Sequence, residues 1–167
     1  MVRCAMTISR RALAIGLSVT LIAVGIWLWR GCTESDDAKI LRVIDEGRTA
    51  IEEKSLRGVM GLLAPDYHDD LGLTIESVRP MLQRLFLGVE AIRIDLGELS
   101  PPVIQQGAVT PTAELSLAVT VSGALQGQPL YLMGTPDQRA RLTLVLVKQD
   151  GDWLVSEVRG LVLPDLF

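Results

Sequence analysis

Hydrophobic positions along this chain follow three rhythms in succession. From 12 to 29 the run ALAIGLSVTLIAVGIWLW is apolar without a charge. From Ile40 onward apolar residues fall three and four apart. Ile40, Val43, Ile44, Gly47 and Ile51 make one stripe of a helix. Ser35, Asp36 and Asp37 supply helix-start chemistry just ahead of it. Ser55 restarts a shorter helix with Leu56, Val59, Met60 and Leu63 inward, and Pro65 closes it. Thr74 is the expected N-cap of a third helix, with Ile75, Val78, Leu82, Leu85, Phe86 and Val89 as its stripe. Pro80, inside that pattern, should kink the helix or mark a late start.

After residue 91 the period becomes two. Ile92, Ile94 and Leu96 alternate with Arg93 and Asp95, and Leu115, Leu117, Val119 and Val121 alternate with Glu114, Ser116, Thr120 and Ser122. RLTLVLV, residues 141–147, is apolar on both sides and reads as a central strand. QDGDW, residues 149–153, is an Asp-Gly hairpin turn leading into a last strand, WLVSEVR. Helices followed by a strand meander predict an α+β domain, with N-terminal helices packed on one face of an antiparallel sheet. About 130 residues are enough for one sizeable core. No repeat or low-complexity tract divides them.

The N-terminal run changes the picture. Eighteen helical residues reach about 27 Å, close to a bilayer's hydrocarbon thickness. Arg3, Arg10 and Arg11 precede the run, Arg30 ends it, and Trp27 and Trp29 sit where the membrane interface favours them. The expectation is a cytoplasmic N-terminus (1–11), a transmembrane helix beginning at Ala12 and ending at Trp29, and a linker (30–37). The expected α+β domain covers 38–160, and an apolar tail, GLVLPDLF from Gly160, closes the chain over 161–167. The arginine asymmetry predicts a single-pass bacterial inner-membrane protein with its C-terminal domain in the periplasm. A cleaved signal peptide would have a shorter core and a small-x-small site, which WLWRGC lacks. A lipoprotein modified at Cys32 is a further alternative, although Trp29 and Arg30 fit that motif poorly. Cys4 and Cys32 flank the span, so no disulfide framework is expected in the domain. Residues 1–31 carry +4 and residues 32–167 carry −8, twelve basic against twenty acidic residues. That balance argues against a nucleic-acid partner.

AIEEKSLRGVMGLLAPDYHDD resembles the helix–helix–loop opening of the nuclear-transport-factor-two-like, or SnoaL-like, superfamily, and LTLVLVKQDGDWLVSEV resembles its closing hairpin. The resemblance covers roughly residues 38–160. It implies a curved antiparallel sheet wrapped around a long helix, a cone-shaped cystatin-like roll with a conical cavity. Some members are isomerases, cyclases or dehydratases. Others bind a ligand or partner, and membrane-anchored members exist.

Enzymes of that superfamily place an acid or histidine inside the cone. Here the expected inward positions are Ile92, Ile94, Leu96, Leu115, Leu117, Val119, Leu142, Leu144 and Leu146, none of which exchanges a proton. Asp95, Glu98 and Glu114 fall on the other face. The chain's single histidine lies in APDYHDDLGLT, residues 64–74. His68 or Asp69 could act as a general base with Tyr67 as donor. The alternative is structural: Pro65 and Asp66 end a helix, Asp69, Asp70 and Gly72 shape a turn, Tyr67 packs on the sheet, and Asp70 with Thr74 faces the next helix start. A metal site is not expected, because neighbouring turn residues seldom converge and no second histidine supports one. No P-loop, dinucleotide fingerprint or nucleophile elbow implies a cofactor or catalyst. QPLYLMG, residues 128–134, could cover a cavity mouth or offer a partner surface, or simply pack on a helix. No catalytic residue is assigned. Tyr67, His68, Asp69, Tyr131 and Met133 are the ligand-binding candidates. The reading is a membrane-anchored, non-enzymatic binding or assembly module for a protein partner or an apolar small ligand. The alternative is a small-molecule-binding or isomerase/dehydratase-like enzyme of the same fold.

Overall fold

The computed structural model describes residues 34–105 and 109–162. The order of elements is α1 (Asp36–Glu52), α2 (Leu56–Gly61), β1 (Leu63–Asp69), α3 (Ile75–Gly88), β2 (Ile92–Leu99), β3 (Val103–Gln105), β4 (Thr112–Leu125), β5 (Gln128–Met133), β6 (Ala140–Gln149) and β7 (Asp152–Arg159). Each helix starts where local chemistry satisfies its free N–H groups. Asp36 and Asp37 stand in the first turn of α1, where the helix dipole favours negative charge. The Ser55 hydroxyl accepts the Gly58 N–H at 3.1 Å ahead of α2. Ser77 Oγ accepts the Thr74 N–H at 2.8 Å at the start of α3. That helix begins at Ile75 and continues through Pro80, so no late start occurs.

The strands form a seven-stranded sheet of order β1-β7-β6-β4-β2, with β3 and β5 also paired to β4. β1 runs parallel to β7, and the other pairings are antiparallel. Two-residue turns close two hairpins. Asp150 and Gly151 have φ of 53° and 93°, and Gln126 and Gly127 have 52° and 74°, the positive pair that matches strand twist. Register shifts interrupt β1/β7, β2/β4, β4/β5 and β6/β7, and such bulges bend and twist a sheet. The result is the expected α+β arrangement, with helices against the concave face of a curved sheet. Ile40, Leu115 and Leu146 are the largest fully buried side chains among the described residues.

Three segments differ from their sequence expectation. Residues 63–69 form a strand, not a helix end and loop. QPLYLM is β5, a hairpin partner of β4, and VIQ adds the short β3. Pro65 obscured β1, yet it stands on an edge strand, where a missing N–H is tolerated.

The membrane-anchored architecture is corrected here. Among the described residues no helix is long and apolar enough to cross a membrane. The longest, α1, has 17 residues and charges at Asp36, Asp37, Lys39, Arg42, Asp45, Glu46, Arg48 and Glu52. The expected span 12–29 and Cys32 lie outside the described residues. Among the described residues the fold class is the α+β cone, and none of its helices spans a membrane. Membrane attachment, the single-pass topology and the periplasmic location are not carried forward.

The start of α1 is tied to the β6–β7 hairpin by one carboxylate. Asp36 Oδ1 accepts from Lys148 Nζ at 2.7 Å and from Trp153 Nε1 at 3.1 Å. The ammonium also lies 5.7 Å from the centre of the Trp153 ring. The Lys148 hydrogen bond, followed by that of Trp153, holds the Asp36 carboxyl below its ordinary pKa of 3.8. A depressed folded-state pKa contributes stability that is full above the ordinary value and is lost as pH falls through the folded one. Asp36→Asn should lower the melting temperature at neutral pH, by a free energy within about 1 kcal/mol because the pair is partly solvated. The difference from wild type should shrink below pH 3.8. Melting curves against pH check this; a deficit that persists undiminished in acid would reject it.

Candidate functional site

The concave face is not filled. A cavity of about 290 Å³ lies between the helices and the sheet. Val43, Ile44, Gly47 and Ile51 of α1 form one wall, Val78, Met81 and Leu82 of α3 another, and the sheet the rest. Ile94, Leu96, Leu117, Val119, Leu142 and Leu144 line the sheet side, six of the positions expected to point inward. Ile92, Leu115 and Leu146 are buried in the surrounding core.

Among the described residues, the lining side chains with strong polar groups are Arg48, Tyr67 and Asp69. β1 delivers the last two. Alternation along a strand sends Tyr67 and Asp69 inward, each 6% exposed, and His68 outward. Asp69 Oδ1 accepts the N–H groups of Leu71 (2.9 Å) and Leu73 (2.8 Å), which closes the turn containing Gly72 at φ +76°. Its Oδ2 accepts from the Tyr67 hydroxyl at a long 3.4 Å. Burial, and next the Asp69 carboxylate, push the Tyr67 phenol well above its ordinary pKa of 10.0, so it stays a neutral donor. Asp70 faces the other way and accepts the Gly160 N–H at 2.6 Å, joining the end of β1 to the end of β7. It does not cap α3. Gly160 has φ +83°, and a Cβ there would collide with the Arg141 carbonyl oxygen.

Arg48 comes from α1. Its Nη2 pairs with Asp45 at 2.7 Å in partial solvent. Its Nε is buried and has no hydrogen-bond partner among the described residues. A buried donor left unpaired costs about 1–3 kcal/mol. Arg48 escaped the sequence reading, although Ile40, Ile44 and Arg48 lie on one i, i+4 row of the helix. That spacing was the available signal.

The candidates thus separate. Tyr67, Asp69 and Met133 line the cavity. His68 is exposed, with Nδ1 3.3 Å from the Asp66 carbonyl oxygen, and Tyr131 is 52% exposed. Met133 and Tyr131 face differently because the β4/β5 register shifts between them, leaving Leu132 as an extra residue. Of the tail, Leu161 lines the cavity and Val162 is 67% exposed, while 163–167 lie outside the described residues.

Comparison with known proteins places this geometry among solved folds. No family model and no curated protein matches the chain. A candidate aromatic ring hydroxylase from Novosphingobium aromaticivorans superposes with a TM-score of 0.60 at 14% identity, over 77% of this chain and 90% of that one. The shared fold is a cone-shaped α+β roll with a curved sheet. Aln2 from a Streptomyces species gives 0.58 at 13% identity, over 75% and 90%. A candidate scytalone dehydratase from N. aromaticivorans gives 0.56 at 14%, over 77% and 85%. At such identities the likeness concerns the fold alone.

The expectation of a membrane-anchored, non-enzymatic module is corrected with it. The anchor rested on the run from 12 to 29, and the non-enzymatic part on inward strand positions that carry no proton-exchanging group. The cone wall carries Tyr67 and Asp69, because β1 is a strand of the wall. The findings favour the alternative, a small-molecule-binding or enzyme-like cone domain.

Two substitutions separate the faces of β1. His68→Ala should change stability by no more than about 0.5 kcal/mol, as an exposed residue with one weak bond. Asp69→Ala should cost about 1–3 kcal/mol by stranding the turn N–H groups, and Asp69→Asn, which keeps an acceptor oxygen, should cost less. Urea denaturation of the three variants checks the order; a larger loss at His68 than at Asp69 would contradict this account of β1.

Proposed function

We propose that this domain binds a small, predominantly apolar molecule inside its cone. The observation that carries this reading is the cavity itself, about 290 Å³, walled by aliphatic side chains from both helices and sheet. A space of that size left open forfeits dispersion contacts that a filled core would have. Ligand sites have this character: mostly apolar, with a few placed polar groups. A saturable, blue-shifted fluorescence titration of N-phenyl-1-naphthylamine against the full chain should reveal one site. Val119→Phe, which adds volume at the cavity wall, should abolish the titration while leaving the protein folded. Absence of saturable binding to wild type would remove the reading.

One observation favours a second reading, an isomerase- or dehydratase-like reaction. Asp69 lines the cavity, and among the described residues its Oδ2 has only the long 3.4 Å contact from Tyr67, which leaves that oxygen room to accept a further hydrogen. The like-folded protein with a dehydratase name suggests a reaction class of this kind. If Asp69 is a base, the full chain should catalyse deuterium uptake next to the carbonyl of a bound aryl ketone, followed by NMR in D₂O. Asp69→Asn should bind the ketone and lose the exchange. No exchange above buffer by wild type would leave a binding protein only.

A further inference from the structure

We infer that Gly47 sets the width of the ligand: the side chain missing there makes a notch in α1 that admits a rigid ring system where the cavity would otherwise pass only a chain. The inference rests on the cone being a ligand site. Gly47 stands well inside α1 (Asp36–Glu52), where glycine weakens a helix relative to alanine. Neither backbone nor packing asks for it. Its φ is not among the positive ones. Among the described residues, a Cβ built there meets a single atom within 4 Å, Leu62 Cδ1 at 3.6 Å, which is an ordinary contact. Gly58 gives the contrast: a Cβ there would come 2.9 Å from Ala50 Cβ, so the packing of α2 on α1 requires that glycine. What Gly47 borders is the cavity, which it lines while only half-buried. Val43 and Ile51, one turn to either side, line it too, with Ile44 beside them. All three are β-branched, and in a helix such side chains hold one strongly preferred rotamer. The notch therefore has stiff sides. Its floor is backbone whose polar groups are paired within the helix, so it offers an apolar surface. A space of fixed shape discriminates by shape. A ring pressed against the floor has no other way to lie, whereas a chain can rotate about its bonds and bend past an added methyl group.

Two alcohols of equal carbon count test this on the full chain: decahydro-2-naphthol, a rigid bicycle, and 1-decanol, a chain. Calorimetry should show both binding to wild type, the bicycle at least as tightly. Gly47→Ala should lower the bicycle's affinity about tenfold, the order expected when a methyl group overfills a packed site, and the chain's by less than about twofold. Without ligand the same variant should melt about 2–4 °C higher, because alanine is the better helix former. Gly61→Ala, in α2, adds a methyl group in open space and away from the cavity lining, and should leave both affinities unchanged. Unchanged binding of the bicycle by Gly47→Ala, an equal loss of bicycle and chain, a matching loss in Gly61→Ala, or a wild type that binds the chain alone would each overturn the inference while leaving the cavity a ligand site. A lower melting temperature for Gly47→Ala would also overturn it, since packing would then require the glycine. Failure of wild type to bind either alcohol would take the cavity reading down with it.

Discussion

The concave face of this protein depends on the parallel pairing of β1 with β7. Every other strand pairing among the described residues is antiparallel and joins segments within the second half of the chain. β1 arrives instead from between two helices and docks on the last strand. Its end is secured twice: Asp69 gathers the turn N–H groups of Leu71 and Leu73, and Asp70 takes the N–H of Gly160. The pairing turns a short polar segment into a wall, with Tyr67 and Asp69 on the cavity side and His68 on the other.

The two faces of the sheet have opposite chemistry. On the open face, Asp95 pairs with Arg139 at 2.7 Å, Arg159 pairs with Glu157 at 2.7 Å, and Ser116 meets Thr143 at 3.2 Å. These contacts are solvated and individually weak. Their consequence is orientational, because they keep polar positions outward while the aliphatic positions face α1 and α3. The concave side then holds few polar groups, and each can be accounted for: Tyr67 on Asp69, Asp69 on its own turn, and Arg48 anchored on Asp45 with one donor to spare.

A stripe of small and branched residues on α1 leaves room for the cavity. Gly47 stands in the middle of that stripe, and a Cβ there would come 3.6 Å from Leu62 Cδ1, an ordinary contact. Helix and sheet therefore meet around the cone's periphery, at Ile40, Val59, Leu115 and Leu146 in the core, and leave its centre open.

Much of the fold was legible in the residues alone. The step of three and four in Ile40, Val43, Ile44 and Ile51 specifies a helix, and the step of two in Ile94, Leu96, Leu117 and Val119 specifies strands and their inward face. Periodicity records which side chains share a face, and Asp150-Gly151 marks a turn because few residues accept a positive φ. The site was not legible in that way. Pro65 and the polar run after it read locally as a helix stop and a turn, since nothing within that segment encodes a partner strand some 90 residues away in the chain. Nor does periodicity reveal a bulge, so Tyr131 and Met133 looked equivalent until the β4–β5 register separated them. The uncharged run from 12 to 29 suggested a membrane anchor from composition, and the described helices supply none. By itself the sequence determined the elements and their faces, because these follow from short-range spacing. Only the tertiary structure decided that Tyr67, Asp69 and Arg48 border one cavity, because their meeting requires long-range strand pairing and the curvature of the whole sheet.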